Sequence, residues 1–372
     1  MRLIKSIGFP KMHKEESEKR DFLPEFFKDL MDYQVDLFLE EGYGERLGYS
    51  HADYVKFNNK IKFISPEKVF ENDMIIVLRC PEVEEINLIK EDSILISMLH
   101  YETRETRNKL LKERKINCFS MDAMTNDDHE RILVNYRGTS RAGSRIAFEE
   151  LKKRTENFSK IKDKVINVSI IGAGAVAANS AKAFEEFGDK EFLSSDRGIM
   201  IHILPRTITQ NEEFVKDILS KTDILVDASK RPDSSKIIIR NGLISNMPDY
   251  AIILDLAADP YNESVEPIQV KGIEGIPTGT LDKFVMKPDD EMFDGIPETI
   301  SSYNRRVVVS CNAWPGIDAR DCMELYGRQL TPFIDVLLSK PLDKLDISSR
   351  NMYERSLVRS SLDYFLNKTD ER

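Results

Sequence analysis

The sequence predicts an α/β protein of two domains, each built on a mostly parallel sheet, and three observations support this prediction. The chain has 372 residues, a length that suggests about two domains. Short apolar runs alternate with helical patterns along it, which is typical of parallel sheets. A glycine-rich turn at 172–177 separates an apolar run from a helical pattern, so a second β/α series begins near the middle of the chain.

The first half of the chain carries the first β/α series. Proline at a first helical position and serine at an N-cap justify two of its helix starts. In the first helix, Phe26, Phe27, Leu30 and Met31 have helical spacing and should face the core. The predicted elements are a strand at 3–9, a helix from Pro24 to 34, a strand at 35–44, a helix at 50–58 capped by Ser50, strands at 74–81 and 93–100, an exposed helix at 103–115 and a strand at 116–122.

The second half begins with a basic helical segment at 137–165, which is predicted to connect the two domains. A long amphipathic helix is predicted near the end, at about 318–339, and it contains Pro332, where it can kink. The segment from 341 to 372 also has a helical pattern. Five strands are predicted between them, at 166–171, 199–204, 223–227, 251–256 and 307–311. We therefore assign 1–136 to the first domain, completed by 318–372, and 137–317 to the second.

Composition and charge exclude several classes of protein. Lys plus Arg number 54 against 64 Asp plus Glu, and the net charge of −10 argues against a general binder of nucleic acids or membrane surfaces. No apolar run reaches the ~20 residues that a bilayer span needs. The first twenty residues have no apolar signal core, so we expect a cytoplasmic protein. The cysteines and histidines show no metal-ligand spacing, so we expect free thiols and no metal.

The turn GAGAVA matches the pattern G-x-G-x-x-[GA] between the apolar strand NVSII and a helix. Gly172 permits the tight turn, and Gly174 lets the backbone approach a pyrophosphate. The phosphates would then meet the backbone N–H groups of Ala175 and Val176 at the start of the helix. The second domain is therefore predicted to be a Rossmann dinucleotide-binding fold. The alternative is a glycine turn that packing alone requires.

The end of the second strand of this fold indicates which nicotinamide nucleotide it takes. NAD sites usually place Asp or Glu there, on the ribose 2′-hydroxyl. The strand IMIHILPRT ends instead in Pro205, Arg206 and Thr207, without a carboxylate. Arg206 can pair with a 2′-phosphate, so the cofactor is NAD(P) with NADP favoured. The alternative is that Arg206 is a solvated turn residue.

Five segments, in order along nearly the whole chain, resemble the alanine dehydrogenase and pyridine nucleotide transhydrogenase family. They are IGFPKMHKEESEKRDFLP, LEEGYGERLGYSHADY, EEINLIKEDSILISMLHYET, AIILDLAADPYNESVE and VSCNAWPGIDAR. The family also contains N5-(carboxyethyl)ornithine synthase and the saccharopine dehydrogenases. This chain shares with the synthase the segment EEGYGERL, the segment DLAAD and an Arg-Thr pair after the second strand. Alanine dehydrogenases normally end that strand with Asp.

The resemblance implies roles for individual residues. Arg20 matches the family's substrate-binding arginine, and Arg79 stands where the family generally has a lysine that contacts the oxo acid. His100 matches the acid/base histidine, a residue type suited to proton transfer near neutral pH. Asp259 matches the catalytic aspartate, and Asn312 is expected beside the nicotinamide. Without the resemblance, Arg20 would be interpreted as a solvated charge, Arg79 as part of a structural ion pair and His100 as a structural histidine.

The resemblance implies an NAD(P)-dependent oxidoreductase that acts on CH–NH2 or CH–NH donors in a cleft between the two domains. The first interpretation is an alanine dehydrogenase-like amino-acid dehydrogenase, with hydride transfer between the nicotinamide and the imine of a 2-oxo acid. The second is an opine-type or saccharopine dehydrogenase-like enzyme that condenses an amino acid with a 2-oxo acid. The third is a nucleotide-binding relative without catalysis. We expect small-molecule substrates, no nucleic-acid or membrane partner, and a homo-oligomer.

Overall fold

The computed structural model describes residues 4–370, which divide into two compact units. Unit 1 comprises 4–14, 18–135 and 319–370, and unit 2 comprises 15–17 and 136–318. Residues 15–17, which the sequence assigns to the first domain, thus pack with unit 2. Leu3, at the start of the first predicted strand, lies outside the described residues.

The bounds of the elements are as follows. The strands are β1 (Ser6–Phe9), β2 (Asp36–Glu40), β3 (Ile61–Ile64), β4 (Met74–Arg79), β5 (Ile94–Met98), β6 (Asn117–Ser120), β7 (Val165–Ile171), β8 (Gly198–Leu204), β9 (Ile224–Asp227), β10 (Ile252–Asp255), β11 (Val285–Met286) and β12 (Val307–Ser310). The α-helices are α1 (His51–Phe57), α2 (Pro66–Val69), α3 (Val83–Ile86), α4 (Glu105–Glu113), α5 (Tyr136–Arg154), α6 (Ala175–Phe192), α7 (Arg206–Thr209), α8 (Glu212–Lys221), α9 (Asn241–Ile244), α10 (Ala319–Ser339), α11 (Met352–Ser360) and α12 (Leu362–Asp370). Short 3-10 helices lie at Pro24–Lys28, Glu45–Leu47, Tyr101–Thr103, Met121–Ala123, Glu291–Gly295, Trp314–Gly316 and Leu342–Lys344.

Unit 1 is built on a six-stranded sheet with the order β3-β2-β1-β4-β5-β6. All neighbouring strands are parallel, which confirms the predicted sheet. Strand β4 is apolar and buried over nearly its whole length, as expected where helices cover both faces of a parallel sheet. The strand order reverses between β1 and β4, and ligands of open α/β sheets bind outside the carboxyl ends of the strands at such a point.

The predicted helix from Pro24 to 34 was wrong in its length. A 3-10 helix ends at Lys28, and turns follow it. Phe26, Phe27 and Leu30 are buried as predicted, but Met31 is 44% exposed. The rings of Phe9, Phe26 and Phe27 pack edge-on at 4.8–6.1 Å between centroids, and this aromatic packing decides the local conformation over helical propensity.

Helix α10 continues through Pro332 and packs in unit 1. Gly327 of this helix allows close packing, because a Cβ built there would lie 3.2 Å from the ring of Phe26. Tyr33 donates a hydrogen bond to Asp335 at 2.9 Å. The C-terminal part of the chain therefore contributes to the core of unit 1.

Unit 2 has a six-stranded sheet with the order β11-β12-β10-β9-β7-β8. Five strands are parallel, in agreement with the predicted fold class. The short strand β11 runs antiparallel to β12 and was not predicted from the sequence. Between β7 and β9 the strand order reverses, so the glycine turn after β7 lies at the switch point where dinucleotides bind in this class of fold.

Within residues 4–370, no helix is both long and apolar enough to cross a bilayer.

Candidate functional site

Two predicted site residues of unit 1 lie at the carboxyl ends of neighbouring strands. Arg79 is the last residue of β4, and the sheet register pairs it with Met98, the last residue of β5. His100 follows two residues later, with a left-handed backbone at φ +50°. A positive φ is uncommon for histidine and marks a constrained position. The fold therefore brings Arg79 and His100 to one edge of the sheet.

Asp122 holds the imidazole of His100. Its Oδ2 lies 3.4 Å from Nδ1 of His100, while its Oδ1 accepts hydrogen bonds from the Ser120 hydroxyl at 2.6 Å and the His100 amide at 3.2 Å. Burial by itself would raise the pKa of Asp122, but the bonds from His100 and Ser120 outweigh burial and lower it. The His100 side chain is 55% exposed, so an anchored carboxylate orients a ring that a substrate can reach.

Glu18 links the two predicted substrate arginines. Its Oε1 accepts a 2.8 Å hydrogen bond from Nε of Arg20, and its Oε2 lies 3.6 Å from Nη1 of Arg79. Arg20 and Glu18 are almost fully buried. Burial alone would raise the pKa of Glu18, but the charge and hydrogen bonds of Arg20, assisted by Arg79, lower it. One carboxylate therefore fixes two guanidinium groups in place.

A cavity of about 320 Å³ lies beside Arg79 within unit 1. Its lining includes Lys11 and Lys14, and also Glu85 and Glu82, the latter paired with Lys14 at 3.0 Å. The cavity is large enough for a small organic acid, and its cations suit a carboxylate.

In unit 2 the turn after β7 has the geometry that a bound pyrophosphate needs. Gly172 has φ +102°, and a Cβ there would lie 2.7 Å from the carbonyl oxygen of Ala228. A Cβ at Gly174 would meet nothing within 4 Å, so the space beside this backbone is open. Helix α6 starts at Ala175, and its first turn has no acidic residue. The residues present therefore fit a dinucleotide, with the N–H groups of Ala175 and Val176 at the helix start.

Arg206 begins the short helix α7 directly after β8. Its side chain is exposed, and it forms no ion pair within the described part of the chain. The strand end carries no carboxylate, so nothing there favours a free ribose 2′-hydroxyl. The geometry leaves the guanidinium available to an anion.

Asp259 follows β10 and pairs with an arginine that the sequence analysis did not select. Its Oδ2 accepts a 2.7 Å hydrogen bond from Nη2 of Arg231, whose side chain is only 6% exposed. Asn312 donates to the buried carboxylate of Glu15 at 3.0 Å, and Glu15 also accepts from the Leu281 amide. Both predicted residues are thus held by buried charged partners within unit 2.

Polar residues also end the central strands of unit 2. Asp227, Asp255 and Ser310 occupy matching positions on β9, β10 and β12. Asp255 is buried and pairs with the buried Lys271 at 2.8 Å. Burial, followed by the charge of Asp255, raises the pKa of Asp227 to about 6. The carboxyl edge of this sheet therefore carries a row of buried polar and charged side chains.

We expect the free energy of unfolding of unit 2 to change with pH because Asp227 titrates. A carboxyl whose pKa is raised by folding stabilises fully below its unfolded pKa of about 3.9, and this contribution is lost as pH rises through about 6. Asp227→Asn keeps the oxygen that accepts from the Ser229 amide, so the stability of the variant relative to wild type should increase between about pH 4 and pH 6 and stay constant above that. Urea unfolding followed by Trp314 fluorescence measures this difference. The exposed Asp189→Asn is the control, and parallel curves for Asp227→Asn and wild type would contradict the prediction.

The structure adds four functional candidates that the sequence analysis missed. They are Glu18, Asp122, Arg231 and Lys271. Asp122 had a local signal, because it follows β6 by two residues and so lies at the same sheet edge as His100. The other three are single charged residues without a motif, and only the burial of their side chains distinguishes them.

The described residues contain no group of three or more His, Cys, Asp or Glu that could hold a metal ion. All four cysteines are free thiols, three of them buried.

Comparisons with known proteins bear on the fold and on the family resemblance. Residues 10–135 match the family model for the N-terminal domain of alanine dehydrogenase and PNT. The alanine dehydrogenase of Staphylococcus saprophyticus is 24% identical over 275 residues, which cover 68% of this chain and 72% of that protein. The alanine dehydrogenase of Methanococcus maripaludis is 22% identical over 277 residues, which cover 70% of this chain and 74% of that protein.

Solved structures show the same fold. An L-alanine dehydrogenase superposes with a TM-score of 0.68 at 17% identity, over 96% of this chain and 94% of that one. A transhydrogenase from Sinorhizobium meliloti gives a TM-score of 0.60 at 14% identity, over 90% of this chain and 94% of that one. The two-domain α/β fold and the resemblance to the alanine dehydrogenase and transhydrogenase family are therefore confirmed.

Proposed function

We propose that this relative of the alanine dehydrogenase and transhydrogenase family is an NAD(P)-dependent oxidoreductase that interconverts a 2-oxo acid and an amino acid. The observation that carries the proposal is the placement of Arg79 and His100 at the ends of adjacent strands, with His100 oriented by Asp122. The reduction of the carbonyl or imine of an oxo acid requires a cation that binds the carboxylate and a group, such as imidazole, that transfers a proton. Relatives named alanine dehydrogenase support the choice of reaction.

In this proposal each residue has one task. Arg79 binds the carboxylate of the oxo acid. Arg20, which the resemblance selects for the same task, is buried with Nε and Nη2 on Glu18, so only its Nη1 is left to assist Arg79. His100 moves a proton at the substrate oxygen or nitrogen, and Asp122 on Nδ1 leaves Nε2 to face the substrate.

The nucleotide belongs to unit 2. The turn at Gly172 and Gly174 and the first N–H groups of α6 would hold its pyrophosphate, and Asn312 its nicotinamide end. When bound, the nicotinamide supplies or accepts the hydride. Asp259 accepts a hydrogen bond from the amine or from water. The proposal includes one further point: the oxo acid that unit 1 binds, or its imine, receives the hydride from the nucleotide that unit 2 binds.

NADP is the proposed nucleotide, and Arg206→Ala should weaken its binding selectively. A charge-assisted hydrogen bond contributes roughly 1.5–3 kcal/mol, which is about tenfold or more in the dissociation constant. NADPH and NADH titrations, followed by nicotinamide fluorescence, measure the two affinities. An equal loss for both nucleotides would remove the 2′-phosphate assignment.

The reaction is tested by NADH and NADPH oxidation with pyruvate or 2-oxoglutarate, each supplied with ammonia, ornithine or lysine. Ammonia-dependent oxidation supports the amino-acid dehydrogenase. Oxidation that requires ornithine or lysine would instead support an opine-type or saccharopine dehydrogenase-like condensation, which the Arg206 strand end favours. No oxidation with any pair would overturn both and leave a nucleotide-binding relative without catalysis.

A further inference from the structure

The turn that carries Asp259 is held in a constrained conformation. It leaves β10 at Asp255, and the amides of Leu256 and Ala257 both donate to the carbonyl oxygen of Asp227 at 2.9 and 3.0 Å. Ala258 has φ +52°, which is strained for a residue with a side chain. Its amide donates to Oδ1 of Asp255 at 2.7 Å. Such a turn keeps its shape only if its surroundings hold it.

Lys271 holds one end of this turn. Its ammonium group lies 2.8 Å from Oδ2 of Asp255, and both side chains are 2% exposed. The same oxygen accepts from Ser310 at 2.9 Å. Asp255 therefore has both oxygens engaged, one in the turn and one with Lys271 and the neighbouring strand β12. Removing Lys271 would leave a buried carboxylate without its counter-charge, beside Asp227.

Arg231 holds the end of the turn at Asp259. Its Nη1 donates to the carbonyl oxygen of Lys236 at 2.7 Å, and its Nη2 donates to that of Val270 at 2.6 Å. These backbone carbonyls fix the guanidinium, and Nη2 also binds Oδ2 of Asp259 at 2.7 Å. Oδ1 of Asp259 has no hydrogen-bond partner within residues 4–370. One oxygen is anchored while the other remains open, and the Asp259 side chain is 39% exposed.

A single segment, Gln269–Gly272, provides most of these contacts. It contributes the Val270 carbonyl and the Lys271 ammonium group, and the side chain of Gln269 donates to the Pro260 carbonyl at 2.9 Å. Backbone bonds between Gln269 and Asn262, 3.1 Å in both directions, extend the contact beyond the turn. The segment Gln269–Gly272 thus contacts the loop from Asp255 to Asn262 on both sides of Asp259.

We propose that Arg231 is a positioning residue for the reaction: it binds one oxygen of Asp259 and, with the segment Gln269–Gly272, aims the other oxygen at the substrate nitrogen or water. This inference rests on the proposed function. It explains why a charged side chain is buried in a loop of unit 2 where packing alone would favour an apolar one. It also predicts that the loss of Arg231 affects the chemical step more than binding.

The test compares Arg231→Met and Arg231→Lys with wild type in the full-length chain. We expect Arg231→Met to lower kcat by about 10²-fold, the scale of a misplacement near 1 Å, while the KM of the oxo acid and the dissociation constant of the nucleotide change little. Arg231→Lys should regain part of kcat, because it restores the charge but not the planar group that binds two acceptors. Arg240→Met, which removes an exposed guanidinium from the same unit, is the matched control.

Amide hydrogen exchange of residues 256–262 provides a second readout that needs no turnover. Exchange in this loop should accelerate in Arg231→Met and not in Arg240→Met. If Arg231→Met does not fold, Gln269→Met removes only the contact to the Pro260 carbonyl and should lower kcat in the same direction and accelerate the same amides.

Two results would overturn the inference. One is a kcat of Arg231→Met, or of Gln269→Met where it replaces that variant, equal to that of wild type. The other is unchanged exchange across 256–262. Failure of the proposed function is a different result: wild-type protein would then oxidise no reduced nucleotide, while the exchange experiment would still decide whether Arg231 holds the Asp259 loop.

Discussion

His100→Asn is expected to lower turnover by about 10²–10⁴-fold, the usual loss when a general acid/base group is removed. In the proposed function the imidazole moves a proton, and Asp122 lies 3.4 Å from its Nδ1. Asparagine tolerates the left-handed backbone at φ +50°, so the variant removes the proton-transfer group without adding backbone strain. Steady-state kinetics in the direction of nucleotide oxidation measure the loss, and nucleotide affinity should stay within about twofold.

The chain contains a matched control for this variant. His129 is an exposed histidine of unit 1 that also has a left-handed backbone, at φ +63°. His129→Asn makes the same chemical change in the same conformation, and it should leave kcat unchanged. Unchanged turnover in His100→Asn, or an equal loss in both variants, would remove the acid/base assignment.

Glu18→Gln is expected to reduce the free energy of unfolding of unit 1 by about 3–5 kcal/mol, because it leaves the buried Arg20 without its counter-charge. Both groups of this pair are almost fully buried, so water cannot replace the lost carboxylate. Urea unfolding followed by circular dichroism measures the change. Trp314, the single tryptophan of the chain, lies in unit 2 and reports that unit separately by fluorescence.

The effect of Glu18 should depend on pH in a defined direction. Its pKa is lowered in the folded state, so its contribution is present above the unfolded pKa of about 4.3 and is lost as pH falls through the folded value. Wild type and Glu18→Gln should therefore converge in acid.

Two further variants make the Glu18 prediction specific. Exposed Glu84→Gln should change stability little. The double variant Glu18→Gln, Arg20→Met should recover much of the loss, because no buried charge then remains unpaired. A Glu18→Gln protein as stable as wild type at neutral pH would show that the pair does not stabilise unit 1.

Local patterns were sufficient to predict most elements of both sheets. The buried strands β4, β7 and β10 are runs of apolar residues, and the glycine turn at Gly172 stands between such a run and a helix. Such signals are local, because each depends on residues that are neighbours in sequence. The error in the first helix has the same cause. Helical spacing after Pro24 is a local signal, whereas the 3-10 helix ends at Lys28 and its Phe27 packs on Phe9, which is distant in sequence.

By itself, the sequence determined the two mostly parallel sheets, the glycine turn after β7 and the residue types of the candidate site, because periodicity and turn chemistry are properties of short segments. Only the tertiary structure decided the partners of those residues. Asp122 reaches His100 across 22 residues, and Arg231 reaches Asp259 across 28. These pairs depend on which strands become neighbours and on which charges become buried, and burial is what fixes a charged side chain on one partner.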